Sequence, residues 1–299
     1  MARMISKELA GVRIEGFSLA GEETVVAAPE YNVCFDVGRA PREVVSIDNI
    51  CLTHGHMDHA AGIAYYFSQR TFVGNSPGRV IVHYELVEPI NQLMEVWARI
   101  ERHPSPRTVL GVQPLTDVPL RRDLLVRPFE VKHTPESLGY TLIETRHKLM
   151  EEFHGRSGQQ LVALKRKGVA IEERFEVPIV TCTGDTATGR WMDHDFVRRS
   201  RVVLLECTFF ERDHVTRARA GKHIHVVDLP EVLSAIPEAR ILLYHVTRRT
   251  DLRRAKEILR SAVSSSDFER ITFLMDRPPR NPNAGRDRDI RKPASERSA

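Results

Sequence analysis

Apolar residues recur at three- and four-residue intervals in two stretches of the chain. The first holds Leu86, Ile90, Leu93, Met94, Trp97 and Ile100, and the second Leu252, Ala255, Ile258, Leu259 and Ala262. That spacing gathers each set on one side of an α-helix, so each stretch is expected to lay an apolar face on a sheet. Elsewhere the pattern shortens to β-branched or leucine-rich runs: Ser46 to Leu52, Leu124 to Lys132, Val177 to Cys182, Val202 to Leu205 and Arg240 to Tyr244. Runs of this kind predict strands. Strands separated by helical patterns in a chain of 299 residues with 41% hydrophobic content predict α/β layers in one domain.

The residues just past the strands add chemistry to this picture. After Leu52 come His54, His56, Asp58 and His59, three imidazoles and a carboxylate within six residues. His54 and His56 alternate at a strand end, so both can face one metal while Asp58 and His59 turn toward a second. Metal-assisted hydrolysis needs several ligands per metal and a coordination position left for water. Other strand ends supply candidates: His133 before Thr134-Pro135, Asp185 in the turn Thr183-Gly184-Asp185-Thr186, and His245 after Tyr244. Any one of these could be a solvated loop end, but all share one position relative to a strand. A carboxylate has two oxygens, which makes Asp185 the natural bridge between two cations.

These residues resemble the ligand pattern of the metallo-β-lactamase superfamily, and the details are similar to the short-form ribonuclease Z family. The resemblance runs from about residue 5 to about residue 275. It includes Ile14-Glu15-Gly16-Phe17-Ser18, Phe35-Asp36-Val37-Gly38-Arg39-Ala40-Pro41, Gly139-Tyr140, Glu206-Cys207-Thr208-Phe209 and Lys222-His223-Ile224-His225. It implies a four-layer αββα sandwich whose halves are alike in fold, and a zinc phosphodiesterase that removes 3′ trailers from precursor tRNA. It further implies that His54, His56 and His133 hold one zinc, Asp58, His59 and His245 the other, and Asp185 both. In the same resemblance Asp58 accepts a proton from the attacking water, and His223, oriented by Glu206, is the candidate donor to the leaving 3′ oxygen. A homodimer is implied as well. Manganese or iron suits the same nitrogen and oxygen donors as zinc.

Two departures stand out. The segment His245-Val246-Thr247-Arg248-Arg249-Thr250 resembles His-Phe-Ser-x-Arg-Tyr, but the aromatic positions are Val246 and Thr250, which bears on how RNA packs near the site. The Gly- and Pro-containing RNA arm of many bacterial members is not recognisable. Its counterpart is the stretch Thr145 to Glu176, where Arg146, Lys148, Arg156, Lys165, Arg166 and Lys167 alternate with Glu151, Glu152, Glu172 and Glu173. That mixture suits an RNA arm and equally a solvated hairpin or helix pair.

Charge and cysteine content narrow the setting. Of the formal net charge of +4, the segment from Asp276 to Ala299 carries +3, with seven Lys or Arg against four Asp or Glu. A field that attracts RNA must therefore be local. Residues 276–299 hold almost no large apolar side chains and are expected to form a disordered basic tail behind a hydrolase domain at 1–275. The four cysteines, Cys34, Cys51, Cys182 and Cys207, have no paired spacing and read as reduced core thiols. With no secretory segment and no long apolar run, a cytoplasmic protein without membrane contact is expected. A lactamase-fold hydrolase of a small phosphodiester or ester is the alternative enzyme. A non-catalytic metal-binding protein is a third reading, disfavoured by a complete ligand set with an acid candidate.

Overall fold

The computed structural model describes residues 4–276, so most of the expected tail lies outside the described residues. Fourteen strands form two seven-stranded sheets in which sequence order is spatial order. The first sheet contains β1 (Ile5–Leu9), β2 (Val12–Leu19), β3 (Glu23–Ala28), β4 (Val33–Phe35), β5 (Asn49–Cys51), β6 (Arg79–His83) and β7 (Thr108–Val112). The second contains β8 (Val118–Arg121), β9 (Leu124–Glu130), β10 (Leu138–Leu149), β11 (Glu172–Cys182), β12 (Val202–Glu206), β13 (Arg240–Tyr244) and β14 (Ile271–Phe273). In each sheet the first four strands pair antiparallel and the rest pair parallel. Parallel pairs need crossover connections, and these carry the helices that cover the outer faces.

Three apolar clusters define four layers. The central one joins Ile14, Phe35 and Ile81 of one sheet to Tyr140, Val180 and Leu242 of the other, all buried. A second seats the helices at Ile63–Phe72 and Val87–Glu101 on the first sheet through Tyr66, Phe67, Ile90 and Met94. A third seats the helices at Leu229–Ala235 and Leu252–Ala262 on the second sheet through Val232, Leu233, Ala255 and Leu259. This is the αββα sandwich expected from the resemblance.

Three expectations change in detail. The run Ser46 to Leu52 is strand only from Asn49 to Cys51, because a helical turn at Arg42–Val45 precedes it and the Ser46 hydroxyl donates to the Glu43 carbonyl at 3.0 Å. The stripe on the helix Val87–Glu101 is wider than its contact with the sheet: Ile90 and Met94 are buried, while Leu93, Trp97 and Ile100 are 39–62% exposed, as is Val96 outside the expected stripe. Last, residues 145–176 take a definite shape that fits either expectation, a two-stranded ribbon with a helix. The ends of β10 and β11 pair only with each other from Thr145↔Glu176 to Leu149↔Glu172, beyond the reach of β9, and a helix at Gly158–Arg166 caps the ribbon. Phe153 and Ile171 are buried within it.

Candidate active site

The parallel strands present their C-terminal ends at one edge, where the two sheets meet, and every candidate residue lies there. The loop after β5 brings His54 and His56, with Asp58 and His59 on the short helix Met57–Ala60. Loops after β9, β11 and β13 bring His133, Asp185 and His245, while Glu206 ends β12. Gly184 allows the approach of the two halves, since a Cβ there would lie 2.8 Å from the Thr53 Cβ and its φ is +62°. Asp36 and His245 hold left-handed backbones at φ 58° and 63° without being glycine, the kind of strain that persists where the surroundings over-determine a residue.

Among the described residues donor atoms gather into three overlapping groups, one of them Asp185, His223 and His245. His54, His56, His133 and Asp185 each offer an atom within 4.8 Å of the others, and so do Asp58, His59 and His245. Asp185 also reaches the second group, its Oδ2 lying 3.4 Å from His59 Nε2 and 3.3 Å from His245 Nε2. Ring nitrogens face one another without an intervening acceptor: His54 Nε2 and His56 Nδ1 at 3.0 Å, and His59 Nε2 and His245 Nε2 at 3.3 Å. The buried Asp185 Oδ1 and His133 Nδ1 have no hydrogen-bond partner. Converging nitrogen lone pairs and an orphaned buried carboxylate oxygen are what a divalent cation would satisfy, so the donor set fits two such ions.

Residues behind the cluster set which nitrogen faces inward. Buried Asp36 accepts from Thr53 N at 2.7 Å, from the Thr53 hydroxyl at 3.0 Å and from His59 Nδ1 at 2.7 Å, which leaves His59 Nε2 for the site. The Thr53 hydroxyl also accepts from His54 Nδ1 at 3.0 Å. His245 Nδ1 donates to the Thr208 hydroxyl at 2.9 Å, and that hydroxyl donates to Glu206 Oε2 at 2.8 Å. Such partners orient a ligating imidazole and fix its tautomer. Sequence reasoning gave no role to Asp36, Thr53 or Thr208, because nothing in their spacing marks them. Only the fold carries Asp36 to a histidine 23 positions away.

Electrostatics divide the histidines. Burial pushes His54 well below the ordinary imidazole range and also lowers His133, as a neutral ligand requires. Burial would likewise lower His59, but Asp185 and Asp36 raise it well above that range. Asp185 is pushed up by burial, yet His245 and His59 hold it well below the carboxylate range. Asp58 also ends low: burial opposes this, and the contacts with His245, His59 and the Gly21 amide prevail. Glu206 is fully buried, and its Oε1 accepts from His223 Nδ1 at 2.9 Å and from the Thr186 and Ile224 amides. Burial lowers His223, but this carboxylate outweighs it and raises the imidazole to about 9.

Other motif residues fall outside the cluster. His225 is buried, caps a turn through Val227 N and meets the Glu211 carbonyl at 2.9 Å, so it is structural. Val246 is 3% exposed in the core, so its departure from an aromatic alters packing beneath the site rather than an RNA-facing surface. All four cysteines are free and buried.

The fold and the site define a metal-dependent hydrolase of the metallo-β-lactamase class. The sequence places it further: the chain belongs to the ribonuclease Z family. It is 30% identical over 252 residues to tRNase Z TRZ1 of Arabidopsis thaliana, covering 83% of this chain and 90% of that protein. It is 32% identical to a nuclear ribonuclease Z of Triticum aestivum over 55% of this chain and 93% of the other. A family model described as anti-Pycsar protein Apyc1 matches residues 33–261. Among solved structures, the fold matches the metallo-β-lactamase fold protein YhfI of Bacillus subtilis with a TM-score of 0.58 at 12% identity, over 91% of this chain and 96% of that one. It matches the short form of human tRNase Z with a TM-score of 0.53 at 13% identity, over 91% of this chain and 95% of that one. Among the described residues no helix is long and apolar enough to cross a membrane.

Proposed function

We propose that the protein is an endoribonuclease that cuts precursor tRNA on the 3′ side of the discriminator nucleotide. The observation that carries this reading is the ion pair of His223 with buried Glu206 beside the histidine and aspartate cluster, in a chain whose relatives are named for tRNA processing. His54, His56 and His133 would hold one zinc, Asp58, His59 and His245 the other, and Asp185 both; manganese or iron would suit the same donors. Bound there, two cations supply positive charge that makes water more acidic and neutralises charge building on the phosphoryl oxygens.

The chain's own groups do the rest. Asp58, fixed by the Gly21 amide at 2.8 Å, orients the attacking water and accepts its proton. Its depressed pKa makes it a weak base, so orientation is the larger part of its role. His223 stays protonated at neutral pH and donates to the leaving 3′ oxygen. Glu206 keeps the imidazole cationic and aimed.

In this reading residues 1–275 form the hydrolase domain, the arm at 145–176 grips the tRNA, and the exposed stripe Leu93, Val96, Trp97 and Ile100 is covered by a second copy of the chain. A cytoplasmic location agrees with the buried free thiols. A second reading, hydrolysis of a small phosphodiester, is favoured by the match to a family model that carries another name. Incubating metal-loaded protein with end-labelled precursor tRNA and mapping the products separates the two. A single cut after the discriminator is expected, and intact RNA beside turnover of bis(p-nitrophenyl) phosphate would overturn the tRNA reading.

A further inference from the structure

A cleft of about 790 Å³ opens beside the candidate metal cluster, with His133 in its wall. Part of its lining is apolar and rigid, formed by Pro114, Leu115 and Pro135. Leu115 is 56% exposed and has a left-handed backbone at φ 65°, held by its amide donating to the Pro128 carbonyl at 2.7 Å. A large apolar side chain kept in water on a backbone that such residues rarely adopt suggests a surface shaped for contact.

Another part of the lining is cationic. Lys132 and Arg190 come from two loops locked together, since Lys132 N donates to the Thr186 hydroxyl at 3.0 Å and Ala187 N donates to the Lys132 carbonyl at 3.0 Å. Lys222, also left-handed at φ 53°, donates its Nζ to the His133 carbonyl at 2.7 Å, which sets an ammonium at the end of the cleft next to the cluster. Among the described residues none of these three side chains forms an ion pair, whereas Arg127, Arg219 and Arg270 do. Glu130 and Asp193 also line the cleft, so the excess is one positive charge. An apolar wall joined to unpaired cations suits a base with an attached phosphate better than either alone.

We propose that this cleft is the subsite for the nucleoside whose 3′ oxygen leaves, with its base against Leu115 and its 5′-phosphate on Lys132, Arg190 and Lys222. The assignment rests on the reading of His223 as proton donor. The His223 ring lies 5.0 Å from that of His133 in the cleft wall, and Lys222 before it reaches the His133 carbonyl, so the oxygen that His223 protonates lies beside this cleft.

The probe is adenosine 5′-monophosphate, dialysed to equilibrium against the metal-loaded full chain, with adenosine and inorganic phosphate as the fragments. The nucleotide is expected to bind more tightly than either fragment. Lys132→Ala or Arg190→Ala should weaken it roughly threefold to tenfold, the scale of a partly exposed charge-assisted contact, while Arg190→Lys retains most of the binding. Leu115→Ser should weaken the nucleotide and leave phosphate unchanged. Metal content and circular dichroism of each variant show that the fold persists.

Equal binding of nucleotide and phosphate, unmoved by these substitutions, would mean that the phosphate sits on the metals alone and would overturn the proposal. Cleft-dependent binding without any cut in precursor tRNA would sink the tRNA reading and leave the subsite standing. A correct cut with cleft-independent binding would do the reverse.

Discussion

At the scale of residues, two side chains carry the proposed chemistry. Asp185 is the one candidate ligand that reaches both groups, so Asp185→Ala should lose both ions and all activity; elemental analysis showing full metal content would remove it from the bridging role. His223→Ala should keep the ions and slow RNA cleavage by roughly 10²–10⁴-fold, the usual worth of a positioned acid. It should spare a substrate with a nitrophenol leaving group, which scarcely needs a proton. The sign of the pH dependence comes from the raised His223. With its pKa at about 9, the donor is protonated below that pH, and RNA cleavage should fall as pH rises through it. Glu206→Gln removes the charge that holds the proton, so the alkaline limb should move to lower pH. A limb that stays in place would show that another group donates. Asp185 and His223 were legible as candidates because one follows a strand and the other lies in a segment to which the resemblance attaches a role. Asp36 and Thr208 were not, since their partners are chosen by the packing of loops rather than by spacing.

At the scale of elements, the arm is the least expected feature to take a definite shape. Its basic run proves to be partly neutralised: Lys165 pairs with Glu172 at 2.8 Å and Arg146 with Glu144 at 2.7 Å. Arg166 and Lys167 at the end of the helix Gly158–Arg166 form no such pair among the described residues, and they are the better candidates for phosphate contact. If the arm grips tRNA, Arg166→Ala with Lys167→Ala should weaken binding and reduce the slope of log affinity against log salt by roughly 0.7 to 0.9 per lost contact. Fluorescence titrations across a salt series measure this, and an unchanged slope would exclude the arm tip. The alternation of Lys, Arg and Glu left both outcomes open, because charge sequence does not say which side chains meet across a ribbon.

At the scale of the whole molecule, the exposed stripe on the helix Val87–Glu101 is the feature that a single copy does not account for. Trp97 and Ile100 are 39% and 62% exposed, and Leu93 and Val96 beside them are exposed as well. A second copy covering this face would bury it at roughly 25 cal/mol per Å² of apolar surface. Trp97→Glu with Ile100→Glu should then give a folded monomer in sedimentation equilibrium. A dimer that survives both charges would place the interface elsewhere.

The chain by itself determined the class of architecture and the candidate donors, because strand composition is local and because the donors sit directly after strands that pattern alone reveals. It also determined the chemistry those donors suit, since imidazole and carboxylate have few other reasons to recur at strand ends. The tertiary structure decided what depends on partners distant in sequence. It set which ring nitrogen of His59, His54 and His245 faces inward, through Asp36, Thr53 and Thr208. It raised His223 through a carboxylate 17 positions away, and it opened the cleft between loops that no spacing rule connects. Periodicity could say that the helix Val87–Glu101 has an apolar side, but how much of that side the sheet covers is a property of the packed layers.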